Sequence, residues 1–284
     1  MKLTYLGTAA AEGWPAVFCN CENCKEAARL GGRNIRTRSQ ALVNDDLLLD
    51  LPPDTYLHKL ANGLDLTKVR YLFVTHWHMD HFYPQELTIR GSYYSHGMVS
   101  PELDVYCAEG TKGLFDKIGW EANRDTLDAI HFHILSAFTP VQAGPYTVTP
   151  LPANHMHELD GGGNTPHPYI YLIEEGGKKL LYGHDTGYFY PEVWDFLGKA
   201  GHIDLVSMDG TCGRRKVGLR GGHMGLPDNL EVKARLIEMG VCNEKTVFVI
   251  NHFSHNDGIC YDRLVPIAEK EGLIVSYDGM CINT

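Results

Sequence analysis

Four segments dense in histidine and acid each follow directly on a short apolar run. Thr75-His76-Trp77-His78-Met79-Asp80-His81 follows YLFV, Pro152-Ala153-Asn154-His155 follows TVTPL, Gly183-His184-Asp185-Thr186-Gly187 follows LLY, and Asn251-His252-Phe253-Ser254-His255 follows VFVI. Runs of this length, rich in β-branched and aromatic residues, read as strands. Polar groups therefore gather where strands end, and there loops converge on one point while a sheet holds them fixed. Such a chain is expected to be α/β, with its site along one edge.

Further strands are expected at Leu3 to Leu6, Leu47 to Leu49, Val105 to Cys107, Tyr169 to Ile173, Leu205 to Met208 and Ile274 to Tyr277. Helical spacing with terminal glycines marks Asp54 to Asn62 and Asp228 to Met239, and helices are also plausible at Pro191 to Ala200 and Arg263 to Glu271. No repeat or low-complexity linker divides the 284 residues, so residues 1–284 are expected to form one domain. The segment at 157–168 (HELDGGGNTPHP) reads as the clearest long loop.

A formal net charge of −10 argues against a partner that is a long nucleic acid, because phosphate-backbone binding needs a basic surface. No run approaches the length of a membrane helix, and the opening residues lack a signal peptide's apolar core. The expected location is cytoplasmic, with no membrane partner, and the 8 cysteines should be reduced there. Oligomeric state leaves no signal in the sequence.

Packing does not explain three imidazoles and a carboxylate within six positions, since buried His and Asp need partners. A turn leaving a strand can aim His76 and His78 at one cation and Asp80 and His81 at another. A second cluster, Cys19-Asn20-Cys21-Glu22-Asn23-Cys24, places three thiols where they can hold one tetrahedral ion. It needs a fourth ligand from elsewhere, for which His255 is the candidate. Cys107, Cys212, Cys242, Cys260 and Cys281 are scattered and read as small hydrophobes.

The HxHxDH pattern at 76–81 resembles the signature of the metallo-β-lactamase superfamily, and the order of the later segments resembles it too. The resemblance implies a four-layer αββα sandwich. It implies that His155 completes the first cation's imidazoles, that Asp185 bridges two cations, and that His252 closes the second set. Asp50 falls at the family's early Asp position, but Leu51-Pro52-Pro53 follows instead of a glycine, so this loop is expected to differ in shape. The CxCxxC cluster with Ser254-His255 resembles the PhnP-type phosphodiesterase branch, where three Cys and one His hold a structural zinc. The Leu6-Gly7-Thr8-Ala9-Ala10 opening and the same cluster resemble PqqB. In the phosphodiesterase branch a His near the scissile phosphate matches His223, within Arg220-Gly221-Gly222-His223-Met224-Gly225.

The function implied is hydrolysis of a small or cyclic phosphodiester by hydroxide held between two divalent cations, Zn or Mn, with one structural Zn elsewhere. His223 and Asp185 are the catalytic candidates. Rival readings are a thioesterase or lactonase, a PqqB-like cofactor-maturation enzyme, and a non-catalytic metal-binding sensor with the same ligands. His157, His167 and His184 are expected beside the pocket or on the surface, and His58, His96, His131, His133 and His202 have no constellation around them. Arg33, Arg36 and Arg38 are expected in a solvent-facing loop, and Arg214, Arg215, Lys216 and Arg220 on a solvated face able to attract an anion.

Overall fold

The computed structural model describes residues 1–155, 168–219 and 221–284. Its first six strands, β1 (Lys2–Gly7), β2 (Gln40–Val43), β3 (Leu47–Leu49), β4 (Tyr71–Phe73), β5 (Leu103–Cys107) and β6 (Ile130–Ile134), lie side by side in one sheet. The next seven, β7 (Val141–Ala143), β8 (Tyr146–Pro152), β9 (Tyr169–Glu175), β10 (Lys178–Gly183), β11 (Leu205–Asp209), β12 (Val247–Asn251) and β13 (Ile274–Val275), form the second. β14 (Cys281–Asn283) returns to pair with β1. From β3 to β6 and from β10 to β13 the strands are parallel, so their C-terminal ends line up.

Side-chain alternation builds the layers. Leu47, Leu49, Tyr71 and Phe73 from the first sheet join Tyr171, Ile173, Leu180 and Tyr182 from the second in one buried cluster between the sheets. The alternate residues Leu48 and Leu72 join an outer cluster with Phe115. On the other side Ile170, Leu172, Leu181 and Val206 join Trp194, Val232 and Leu264. Of the helices, α1 (Glu22–Leu30), α2 (Thr55–Asn62), α3 (Gln85–Thr88), α4 (Glu109–Ile118), α5 (Arg124–Asp128), α6 (Pro191–Leu197), α7 (Leu226–Glu238) and α8 (Tyr261–Lys270), α4 supplies Phe115, while α6, α7 and α8 supply the last three. The result is the αββα sandwich. No helix among the described residues is long and apolar enough to cross a membrane.

Two histidines left unplaced by the sequence reading lie on β6. His131 and His133 face solvent and meet Glu102, just before β5, and Asp104 of β5 at 2.7 and 2.6 Å. His58 is buried between Thr37 Oγ1 and Gln40 Oε1, at 2.7 and 2.6 Å. Arg36 departs from expectation, for it is buried rather than solvent-facing. Its guanidinium stacks 4.1 Å from the Phe253 ring and donates to Thr8 Oγ1 and Ser276 O, both at 2.8 Å. Cys281, expected to pack as a small hydrophobe, is exposed on the edge strand.

Candidate metal centre

The second sheet grips the end of β4 before the histidine motif begins. Tyr171 OH donates to Val74 O at 2.6 Å, and Tyr169 N donates to Thr75 O at 2.9 Å. The chain then coils so that His81 N and Phe82 N both donate to His78 O, at 2.9 and 2.8 Å. This turn separates the motif into two sets of donors. His76, His78 and His155 converge with Asp185, and Asp80, His81 and His252 converge with the same Asp185; within each set the donor atoms lie within 4.8 Å of one another. Asp185 follows β10, His252 follows β12 and His155 lies beyond β8, so the two sheets contribute jointly at one edge of the sandwich.

The far nitrogen of His81, His155 and His252 has a partner that fixes the ring. Asp50 Oδ2 accepts from His81 Nδ1 at 2.7 Å, while its Oδ1 accepts from Thr75 N and Oγ1 at 2.8 and 2.9 Å. Gly222 O accepts from His155 Nδ1 at 3.3 Å, and Thr211 Oγ1 accepts from His252 Nδ1 at 2.8 Å. A ring that donates through Nδ1 presents the Nε2 lone pair. Such lone pairs meet here: His252 Nε2 lies 3.3 Å from His81 Nε2, and His78 Nδ1 lies 2.8 and 3.4 Å from His76 Nε2 and His155 Nε2. Asp185 Oδ1 is buried without an aligned hydrogen bond. Inward-facing lone pairs around a shared, unsatisfied carboxylate are what a pair of divalent cations fits, and the mixed N/O set suits Zn, Mn or Fe.

Asp209 is the residue that sequence reasoning missed. Fully buried at the end of β11, it accepts from Thr211 N and Met224 N through Oδ1, at 3.0 and 2.9 Å, and from Thr211 Oγ1 through Oδ2 at 2.9 Å. Its signal was present: an acid directly after an apolar run, as in the other segments. Asp50, Asp185 and His252 share a second trait, positive φ values of 66°, 51° and 62°. Left-handed backbone is tolerated best by Gly, Asn, Asp and His, and such strain persists where surrounding structure enforces it. Beyond Asp50, Leu51 forms a parallel bridge to Phe82.

Charge is unevenly distributed. Burial pushes His76 down to about 3. Burial also opposes a charge on His81, but before any cation binds Asp80 and Asp50 outweigh it and hold the ring well above the ordinary histidine value. His223 behaves similarly: against the cost of burial, Asp185 and Asp209 push it up to about 11. Its Nδ1 donates to Asp209 Oδ2 at 3.4 Å and lies 3.1 Å from Asp185 Oδ1. Asp185, Asp209, His223 and His252 also lie close enough to form a further donor set. The hydrogen bonds already filling Asp209 favour an orienting role for it instead.

His78, Asp80, His155, Asp185, His223 and His252 line a cleft of about 460 Å³ together with Glu12, Arg215, Asn256 and Asp257. Arg215 is clamped by Asp257, with Nε and the terminal nitrogen at 3.0 and 2.7 Å. His184 lies behind the centre, between Ser207 Oγ at 2.6 Å and Asn251 Nδ2 at 3.1 Å. His157, His167 and Arg220 lie outside the described residues.

The cysteine cluster assembles separately. Cys19, Cys21, Cys24 and His255 offer donor atoms within 4.8 Å of one another. His255 Nδ1 sits 3.7 and 3.4 Å from the sulfurs of Cys19 and Cys21. The Cys24 backbone N–H lowers the Cys21 thiol to about 6, whereas burial raises Cys24 to about 11. Three sulfurs and one imidazole make a soft, closed set suited to tetrahedral zinc.

Comparison with known proteins agrees with this architecture. Zn²⁺-bound PqqB from Methylobacterium extorquens superposes with a TM-score of 0.72 over 100% of both chains, at 19% identity. A diphosphatase of the PhnP family gives 0.71 over 99% of this chain and 96% of that one, at 17% identity. The short form of human tRNase Z gives 0.64 over 100% of this chain and 99% of that one, at 15% identity. At these identities the likeness is one of fold. No curated protein matches the sequence. The family model for the beta-lactamase superfamily domain matches residues 47–249, from the strand before Asp50 to the strand before His252. The chain therefore belongs to the metallo-β-lactamase superfamily, whose members are mostly metal-dependent hydrolases, and within it resembles PhnP and PqqB.

Proposed function

We propose that the chain is a metal-dependent phosphodiesterase acting on a small or cyclic phosphodiester. The observation that carries this reading is the placement of His223, which stands in the wall of the cleft beside both donor sets with its Nδ1 hydrogen-bonded to Asp209. Its Nε2 is then the nitrogen left to face a leaving group. His76, His78 and His155 with Asp185 would hold one divalent cation, and Asp80, His81 and His252 with Asp185 the other. Bound there, the cations would supply Lewis-acid charge and a water of lowered pKa.

The chain's own residues do the rest. Asp50 and Thr211 keep the imidazoles of His81 and His252 in the tautomer that binds a cation. Asp209 orients His223, which hands a proton to the departing alkoxide. Arg215 lines the cleft with its guanidinium held by Asp257, which places its remaining N–H donors where a phosphate oxygen could accept them. A cleft of about 460 Å³ suits a small ligand, and the net charge of −10 is adverse to long nucleic acid. Resemblance to a diphosphatase of the PhnP family supports phosphoester chemistry. Donors running from Cys19 to His255 also favour reading residues 1–284 as one domain.

A panel of chromogenic phosphodiester, phosphomonoester, lactone and thioester substrates with Zn²⁺ or Mn²⁺ tests the assignment. Turnover chiefly of lactone or thioester would transfer it to those chemistries, and turnover of none would leave a metal-binding module. His223→Ala should reduce hydrolysis of an alkyl diester by about 10²- to 10⁴-fold, the usual contribution of a general acid. A nitrophenyl diester, whose leaving group departs without a proton, should lose far less. Equal losses on both substrates would make His223 a phosphate-positioning residue, and loss of a cation would make it a ligand.

Elemental analysis should find up to three metal ions per chain, two exchangeable and one held tightly. His78→Ala should lower the exchangeable count and Cys21→Ser the tight one. Unchanged content in both variants would refute both sites.

A further inference from the structure

The cysteine cluster and the hydrolytic cleft share one side chain. Glu12 lies in the turn between the buried Ala10 and the Trp14 core contact, ahead of the three cysteines, and it lines the cleft. Its Oε1 accepts from Ser254 Oγ at 2.5 Å and lies 3.6 Å from His255 Nε2. The other nitrogen of that ring, Nδ1, faces the sulfurs of Cys19 and Cys21. Asn23 Nδ2 holds the backbone of the same residue, donating to His255 O at 2.7 Å. His255 is thus fixed at its backbone by Asn23, with a carboxylate facing the far side of its ring.

We infer that Glu12 is a positioning residue for His255 and sets how tightly the cluster holds its metal, while forming part of the cleft wall. The inference rests on reading Cys19, Cys21, Cys24 and His255 as a metal site. A carboxylate facing the non-ligating nitrogen of a metal-binding imidazole fixes the tautomer, makes the ligating nitrogen more basic and orients the ring. Loss of such a partner typically costs about 10- to 100-fold in metal affinity. In this chain Glu12 Oε1 faces Nε2 across 3.6 Å, beyond hydrogen-bond length, so its charge favours the proton on Nε2 and leaves the Nδ1 lone pair for the metal. The Ser254 hydroxyl holds Oε1 in place, and Ser254 lies two residues beyond His252 of the hydrolytic centre. No hydrogen bond among the described residues reaches Glu12 Oε2, so that oxygen can face the cleft without releasing His255.

The experiment uses the full chain loaded with Co²⁺, whose sulfur-to-metal charge-transfer absorption reports the cysteine site separately from the His/Asp site. Competition with a chromophoric chelator then gives the cluster's affinity. Glu12→Ala is expected to weaken Co²⁺ binding at the cluster by about 10- to 100-fold and to shift its ligand-field bands, with His/Asp occupancy retained. Glu12→Gln, which keeps an acceptor and loses the charge, should fall between wild type and Glu12→Ala. An affinity within twofold of wild type in Glu12→Ala would overturn the inference. So would equal weakening at both metal sites, or a lowered melting temperature in the chelated protein without an affinity change, because either would make Glu12 a packing residue. Absence of the charge-transfer band in wild type would instead refute the cluster reading itself.

Discussion

Asp185→Asn is expected to reduce turnover by about 10³-fold or more while the chain stays folded, because the substitution removes the charge common to both donor sets and little else. Asparagine is the informative replacement. Asp185 sits at φ 51°, where Asn is tolerated nearly as well as Asp, whereas alanine would add a backbone cost of about 1–2 kcal/mol. The residue is buried among His76, His81, His155 and His223, so an amide of the same shape preserves the packing. Circular dichroism and thermal melting should show a native profile in metal-free protein, and calorimetric titration should show weakened binding at both exchangeable positions. A variant that keeps both cations and more than a tenth of the wild-type rate would end the bridging role.

Cys24→Ser should have the opposite signature, a large loss of stability. Cys24 is buried, its sulfur accepts from Ala16 N at 3.4 Å, and it packs with Ala27 and Trp14 under α1. Structural zinc contributes its binding free energy to folding, and losing a metal ligand belongs among the few changes that exceed about 4 kcal/mol. For a chain of this size that corresponds to a fall in melting temperature on the order of 10 °C. A strong chelator should bring wild type down to the mutant's melting temperature and leave the mutant where it is. A Cys24→Ser protein that melts like wild type but lacks activity would show that a reactive thiol had been mistaken for a structural one.

The motif at 76–81, the acids and histidines after β8, β10 and β12, and the CxCxxC run were legible because chemistry-bearing residues stand next to apolar runs with little else to explain them. The sandwich followed from the family resemblance, and the alternation of Leu47, Leu48 and Leu49 shows its physical basis. Other parts were illegible for identifiable reasons. β2 is four residues long and opens with Gln40, too short for a period to show. β6 carries its histidines on an exposed face, where His131 and His133 look like isolated surface residues until Glu102 and Asp104 appear across the strand. α1 buries only Cys24 and Ala27, a stripe too narrow for helical spacing to stand out. Asp209 was passed over because it orients other side chains instead of converging on an ion by itself, and such a role is invisible until Thr211, His223 and His252 are seen around it. Arg36 was read as exposed because sequence cannot anticipate that Phe253 supplies an aromatic face to receive a buried guanidinium.

The division of donors between the two sheets has a consequence for how the protein is made. His76, His78, Asp80 and His81 belong to the first sheet, Asp185 and His252 to the second, and Asp185 completes both sets. As the chain leaves the ribosome, the early motif has Asp50 to orient His81, but its bridging partner Asp185 and the imidazoles of His155 and His252 are still unsynthesised. Neither position can close before β10 has emerged, and the second waits for β12 and His252. Contacts so distant in sequence form late because their loop-closure entropy must be overcome first. On the proposed two-cation reading, metal acquisition would therefore be a late step of biosynthesis, made by a nearly finished chain.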